Sequence, residues 1–144
     1  MIGPTHHIGV AVRSLDAALA TYRAIGFEPE SLEEVASQGV RVAFLPAGAV
    51  HLELLESLTP DGVIARFVER HGEGLHHIAF AVADVRVEMQ RLRREGLELV
   101  DAEPRLGARG RLVAFVKPGS AHGVLVELVQ ESRRPDGSDG TQRR

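Results

Sequence analysis

The stretch "HHIGVAV" at residues 6–12 returns as "HHIAFAV" at residues 76–82, seventy positions further on. A segment this unusual, written twice, constrains the fold more than any other feature. It predicts two copies of one structural module in a single chain. The likeness runs beyond the histidines: between residues 6–28 and 76–98, eight of twenty-three aligned positions are identical. Two further matches follow in the same order. "VRVAFLP" (40–46) resembles "RLVAFVKP" (111–118), and "VHLELLE" (50–56) resembles "VLVELVQ" (124–130), which sets Glu53 opposite Glu127. Chance similarity between apolar strands explains one such match easily and three poorly.

Each copy reads as a strand, a helix and three strands. The fold class is therefore α+β, with tandem βαβββ modules at about 5–56 and 75–130. The first segment of each copy is short, β-branched and alternating. Ser14 or Asp16 begins a helix with Leu15, Ala18, Leu19 and Tyr22 at helical spacing, and Gly26 ends it. In the second copy Asp84 is the cap, Val85, Met89 and Leu92 are the buried stripe, and Gly96 is the stop. Residues 29–36, 39–45 and 50–56 then read as strands, as do 97–103, 111–117 and 123–130. The connection "SLTPDGVIARFVERHGEG" (57–74) carries a short helix from Pro60 to about Arg70, since Pro suits a first helical turn. Residues 1–130 read as one domain. The stretch "ESRRPDGSDGTQRR" (131–144) has no large apolar residue and reads as a flexible tail.

Alternation assigns the side chains to two faces of each strand. Ile8, Val10 and Val12 share a core face, and His7, Gly9 and Ala11 the other. Ile78, Phe80 and Val82 are the matching core residues, opposite His77, Ala79 and Ala81. Small residues after each histidine are expected to leave an open pocket, so that Ala79→Leu obstructs it without unfolding the chain. His6 and His76 point away from that pocket. The fourth strands repeat the pattern. Val50, Leu52 and Leu54 oppose His51, Glu53 and Leu55; Val124, Val126 and Leu128 oppose Leu125, Glu127 and Val129. A carboxylate in the middle of an apolar strand is costly unless it is paired or binds a metal. The cost recurs at matching positions, so His7, Glu53, His77 and Glu127 are read as one metal site. His51 is a candidate second contact on the Glu53 face. His71 and His122 read as solvated.

Composition narrows the chemistry. The chain has no cysteine, which excludes disulfides and thiolate ligands and is compatible with a reducing cytosol. A net charge of -3 and few aromatics give no case for nucleic acid binding. No apolar run approaches membrane-spanning length, and no signal peptide is evident in "MIGPTHH".

These residues carry a resemblance. Through "HHIGVAV", "ELLESL", "GEGLHHIAFAVADV", "EPRLGARG" and "GVLVELVQ", the chain is similar to the vicinal oxygen chelate superfamily, and within it to the methylmalonyl-CoA epimerase family. The resemblance implies two βαβββ modules forming one curved mixed sheet around a single divalent ion, with helices on the outer face. It places His7, Glu53, His77 and Glu127 as the ligands. Such nitrogen and oxygen donors suit Co²⁺, Mn²⁺, Ni²⁺ or Zn²⁺. It implies an acyl-CoA substrate, a cytoplasmic enzyme and room for a homodimer. Proton transfer at C2 would use Glu127 and Glu53 as bases, and Lys117, Arg109 and Arg111 are candidates for the CoA phosphates. Two departures stand out. The His-Pro-Lys of family members is replaced by "VKPGSAHG", and a third-strand glutamate proposed as a base is matched here by Val42. The same ligand order also suits glyoxalase I, and a non-catalytic ligand-binding member of the superfamily is the third alternative.

Overall fold

A computed structural model describes residues 1–131, so the expected tail falls, apart from Glu131, outside the described residues. The first module comprises β1 (Thr5–Ala11), α1 (Leu15–Ile25), β2 (Ser31–Val35), β3 (Val40–Ala47) and β4 (Val50–Ser57). A connecting helix α2 (Val63–His71) follows. The second module comprises β5 (Gly74–Val82), α3 (Val85–Arg94), β6 (Arg105–Leu106), β7 (Leu112–Val116) and β8 (Val126–Gln130). The helix ends obey the sequence signals. The Ser14 side chain accepts a hydrogen bond from the Ala17 N–H, and Asp84 accepts from the N–H groups of Arg86 and Val87. Gly26 closes α1 in a positive-φ conformation.

All eight strands form one sheet in the order β2-β3-β4-β1-β5-β8-β7-β6. The duplication is visible in the ladder. β1 lies parallel to β4, β5 lies parallel to β8, and β1 and β5 pair antiparallel at the centre. The register sets Glu53 beside Gly9, Glu127 beside Ala79, and His77 across from Gly9. The four residues expected to act together thus come from the four central strands.

The sheet curls until its two ends meet. Ser37 donates a hydrogen bond to the Leu106 carbonyl at 2.5 Å, and the Arg109 N–H donates to the Glu33 carboxylate at 3.1 Å. The Arg109 guanidinium reaches Glu30 at 3.1 Å and lies 4.0 Å over the Phe44 ring. On the convex side α1 buries Leu15 and Leu19 against Val10, Val12, Ala43, Leu45 and Leu54. There α3 buries Val85, Met89 and Leu92 against Val82, Ala114, Val116 and Leu128. On the concave side α2 presses Ile64 and Val68 onto Ala11, Val42, Phe44 and Leu55.

Four expectations are corrected. Residues 97–103 do not form a strand: Leu99 makes only an isolated bridge to Val116, and the paired segment is the two residues of β6. Arg93 caps the carbonyls of Asp101 and Ala102 at 3.0 and 2.9 Å, and Leu97 and Leu99 pack into the α3 core instead of extending a ladder. Helix α2 starts at Val63, three residues after Pro60, because Pro-Asp-Gly forms a turn first. Val124, expected in the core, is exposed. Ile8, Ile78 and Phe80 are only half-buried, since each convex helix packs over its own module and leaves the central strands partly uncovered.

Candidate metal centre

Local geometry brings His7, Glu53, His77 and Glu127 into one buried cluster on the concave side, each less than a tenth exposed. His7 is the hub. Its Nε2 lies 3.0 Å from His77 Nε2 and 2.8 Å from Glu127 Oε2, and its Nδ1 lies 2.9 Å from Glu53 Oε2. Glu127 Oε2 is 3.7 Å from His77 Nε2. Adjacent donors around one octahedral ion with bonds of ~2.1 Å sit ~3 Å apart, so His7, His77 and Glu127 are spaced as such a set. Glu53 approaches the opposite edge of the His7 ring. The four residues line a cavity of about 20 Å³, room for a single ion or water.

Gly9 makes the arrangement possible. A Cβ there would stand 2.2 Å from His77 Cε1 and 2.7 Å from its Nε2. The small residue beside the first histidine therefore makes space for the ring of the second. The other small residues do something different from the expectation. Ala11 lies beneath α2, and Ala79 is fully buried against Val113, Val129 and Phe115. Neither lines an open pocket. Ala79→Leu is accordingly expected to destabilise the fold by roughly 1–3 kcal/mol through overpacking, measured as a lower denaturation midpoint, and not to give a folded but obstructed protein.

The electrostatics fit a cation. Burial alone would lower the His7 pKa, but the Glu127 and Glu53 carboxylates override it and raise it to about 9. Burial pushes His77 down to about 3, leaving its ring neutral with a lone pair available. One imidazolium against two buried carboxylates leaves excess negative charge. The buried Glu127 Oε2 faces the two imidazoles, with His7 Nε2 at 2.8 Å and His77 Nε2 at 3.7 Å. A buried carboxylate oxygen beside two imidazole nitrogens that are themselves 3.0 Å apart, with a void for one ion, fits a divalent cation, which would displace the His7 proton on binding.

The other expected residues divide. Arg111 lines the cavity, with Nη1 3.0 Å from His6 Nε2. Arg109 is one turn away, held by Glu30, Ser31 and the Phe44 face. Lys117 is not in the cavity and lies 3.5 Å from Glu98. His51 bonds Glu30 at 3.0 Å, and Val42 is buried in the α2 core with no titratable group in its place. His6 corrects the expectation that it faces away. A register shift in β1 between Thr5 and His7 turns it inward, and its Nδ1 lies 2.7 Å from His7 Nδ1. Sequence reasoning missed Gln38 altogether. It lines both the metal cavity and an adjoining chamber of about 200 Å³, and its Nε2 is buried without a partner among the described residues. Its only sequence signal is the following Gly39, whose left-handed conformation ends the turn that carries Gln38. The chamber is walled by Val40, Leu55, Ile64 and Phe115 and shares His77 with the metal cavity.

The fold and the paired His/Glu site define a class. The chain belongs to the glyoxalase/bleomycin resistance protein/dioxygenase superfamily, whose family model matches residues 6–115. Within that superfamily its relatives are more particular. An ethylmalonyl-CoA/methylmalonyl-CoA epimerase of Cereibacter sphaeroides is 37% identical, over 90% of this chain and 99% of the relative. A Streptomyces coelicolor methylmalonyl-CoA epimerase variant, solved in complex with 2-nitronate-propionyl-CoA, superposes with TM-score 0.88 at 38% identity, over 92% of this chain and 100% of that one. An uncharacterized Bacillus subtilis protein, YqjC, is 43% identical over 86% of this chain and 89% of its own length.

Proposed function

We propose that the chain is a metal-dependent methylmalonyl-CoA epimerase that moves the proton at C2 of the acyl group. The buried cluster carries the reading: two imidazoles and two carboxylates around an ion-sized void, opening beside His77 onto an apolar chamber of about 200 Å³. The epimerases among its relatives support it. His7, His77 and Glu127 would hold the ion, Glu53 would complete the set on giving up its contact with His7 Nδ1, and Co²⁺, Mn²⁺, Ni²⁺ or Zn²⁺ suits these donors. When bound, such an ion supplies Lewis acidity that favours negative charge on the thioester oxygen.

The chain's own residues do the rest. Glu127 takes the C2 proton onto a carboxylate oxygen, and the C–H electron pair passes to the thioester carbonyl, leaving an enolate. Glu53, at the opposite edge of the His7 ring, enters the step protonated and gives that proton to the other face of C2, so Glu127 ends protonated and Glu53 ends as a carboxylate until exchange with solvent resets the pair. The Gln38 amide N–H is a free donor in the lining of the cavity and would serve the substrate's carboxylate, with Arg111 in the same lining as its counter-ion. Val40, Leu55 and Phe115 keep water from the reacting carbon. Acyl-CoA is the substrate class, a cytoplasmic location accords with the absence of cysteine, and a homodimer is compatible with the reading.

Solvent deuterium should enter C2 of methylmalonyl-CoA when the protein is loaded with a divalent ion, and a chelator should abolish the exchange. The assay is run beside hemithioacetal turnover. Absent exchange in the metal-loaded protein, with good hemithioacetal turnover, would move the function to glyoxalase I.

A further inference from the structure

The acyl chamber does not end at its apolar walls. Val63 and His76 border both the chamber and a second, surface cavity of about 230 Å³ lined by Arg66, Phe67, Arg70 and His71. His76 and Leu125 likewise join the chamber to a neighbouring groove beside Phe67 and His71. The chamber beside His77 and the cavities on the outer face of α2 are thus separated only by the side chains they share, Val63, His76 and Leu125. On the other side residues 106–109 cross to the first module through Ser37, Glu33 and Glu30, which closes that flank.

The outer face of α2 is cationic. Arg66 and Arg70 are four residues apart, so they stand on one face of α2. Both are exposed, and neither makes an ion pair among the described residues. Glu69 lies beside Arg70 in the same helix but makes no ion pair with either arginine among the described residues, and Glu73 is taken by Arg13, whose backbone N–H reaches it at 2.9 Å. Paired arginines at a helix C-terminus are ordinarily explained by the helix dipole. That account does not explain why the same two side chains line the cavity that adjoins the reaction chamber. The three cations expected from sequence are meanwhile engaged elsewhere: Arg109 by Glu30, Arg111 at the metal cavity and Lys117 by Glu98.

We infer that Arg66 and Arg70 bind the phosphates of the CoA moiety, with the pantetheine arm passing between Val63, His76 and Leu125. The inference rests on the epimerase reading for its choice of ligand. Apolar walls suit the methylene-rich arm, and guanidinium groups suit phosphate oxygens because they donate in a bidentate fork.

The test separates this site from the reaction itself. CoA binding to the full chain is measured by calorimetry for the unmodified protein, the R66Q/R70Q variant and the R66K/R70K variant. The double Gln variant should bind CoA on the order of tenfold more weakly, and the Lys variant, which keeps the charge but loses the bidentate fork, should fall between the two. The KM for methylmalonyl-CoA should rise by a similar factor with kcat little changed. The KM for methylmalonyl-pantetheine, which lacks the nucleotide phosphates, should be the same in all three proteins. Equal CoA affinity in the unmodified and double Gln proteins overturns the assignment, even if C2 exchange is normal. So does a parallel rise in KM for both thioesters, which would mark a structural effect. Loss of C2 exchange from the unmodified protein with CoA binding still sensitive to Arg66 and Arg70 would overturn the epimerase reading and leave the phosphate site standing.

Discussion

Glu127→Gln is expected to fold, to take up a divalent ion at raised metal concentration, and to exchange the C2 proton roughly 10²–10⁴-fold more slowly than the unmodified protein. The substitution keeps an oxygen donor of the same length and removes the only group at that position able to accept a proton. Glu127 lies on β8 beside Ala79, with its Oε2 buried and 2.8 Å from His7 Nε2. A carboxylate oxygen so placed can serve as ligand, as base, or as both. Metal content and exchange rate measured on one sample separate these roles. Near-normal exchange at saturating metal would reduce Glu127 to a ligand. Slow exchange with full metal content would assign it the proton.

Gly9→Ala is the second large effect. The methyl group would occupy the space of the His77 ring, with three ring atoms within 2.7 Å of it. Neither partner can yield easily. Gly9 lies in a central strand paired to Glu53 on one side and His77 on the other, and His77 is buried. The ring must rotate out of line with His7, which should weaken metal affinity by at least the roughly 10–100-fold seen when groups that orient a ligand are lost. Overpacking should also cost about 1–3 kcal/mol of stability. Paired metal titration and denaturant unfolding check both. Unchanged metal affinity in a folded Gly9→Ala protein would show that His77 does not need its present orientation.

The repeat made much of this legible. His7 and His77, and Glu53 and Glu127, were found as pairs because duplication copies a ligand and its strand position together. Alternation then placed all four on one face. What alternation could not show was which part of that face is covered. Ala11 and Ala79 looked like pocket floor, yet α2 and β7 close over them, and only the three-dimensional curl of the sheet decides that. His6 broke the alternation because a bulge in β1 is invisible to a period-two reading. Gln38 gave no pattern at all: it sits on a single turn between strands, where position is fixed by neighbours and not by periodicity. The failed strand at 97–103 shows the same limit. Its residues had strand composition, but a side chain of α3 satisfied the backbone carbonyls in place of a neighbouring strand.

The antiparallel join between β1 and β5 gives the ion a mechanical role. His7 and Glu53 belong to one module, His77 and Glu127 to the other, and the ladder through Ile8 and Ile78 is where the two meet. An ion gripped from both sides acts as a rivet across that join. At a free concentration of 100 times its dissociation constant it would add about 2.7 kcal/mol against unfolding. That stabilisation would resist any motion that slides one half past the other. A slip of one residue in either strand would turn that strand's histidine to the convex side, away from its partner, and break the rivet at once. The alignment of the two halves and the grip on a bound ion would therefore be a single property, and a substitution that loosens one would loosen the other.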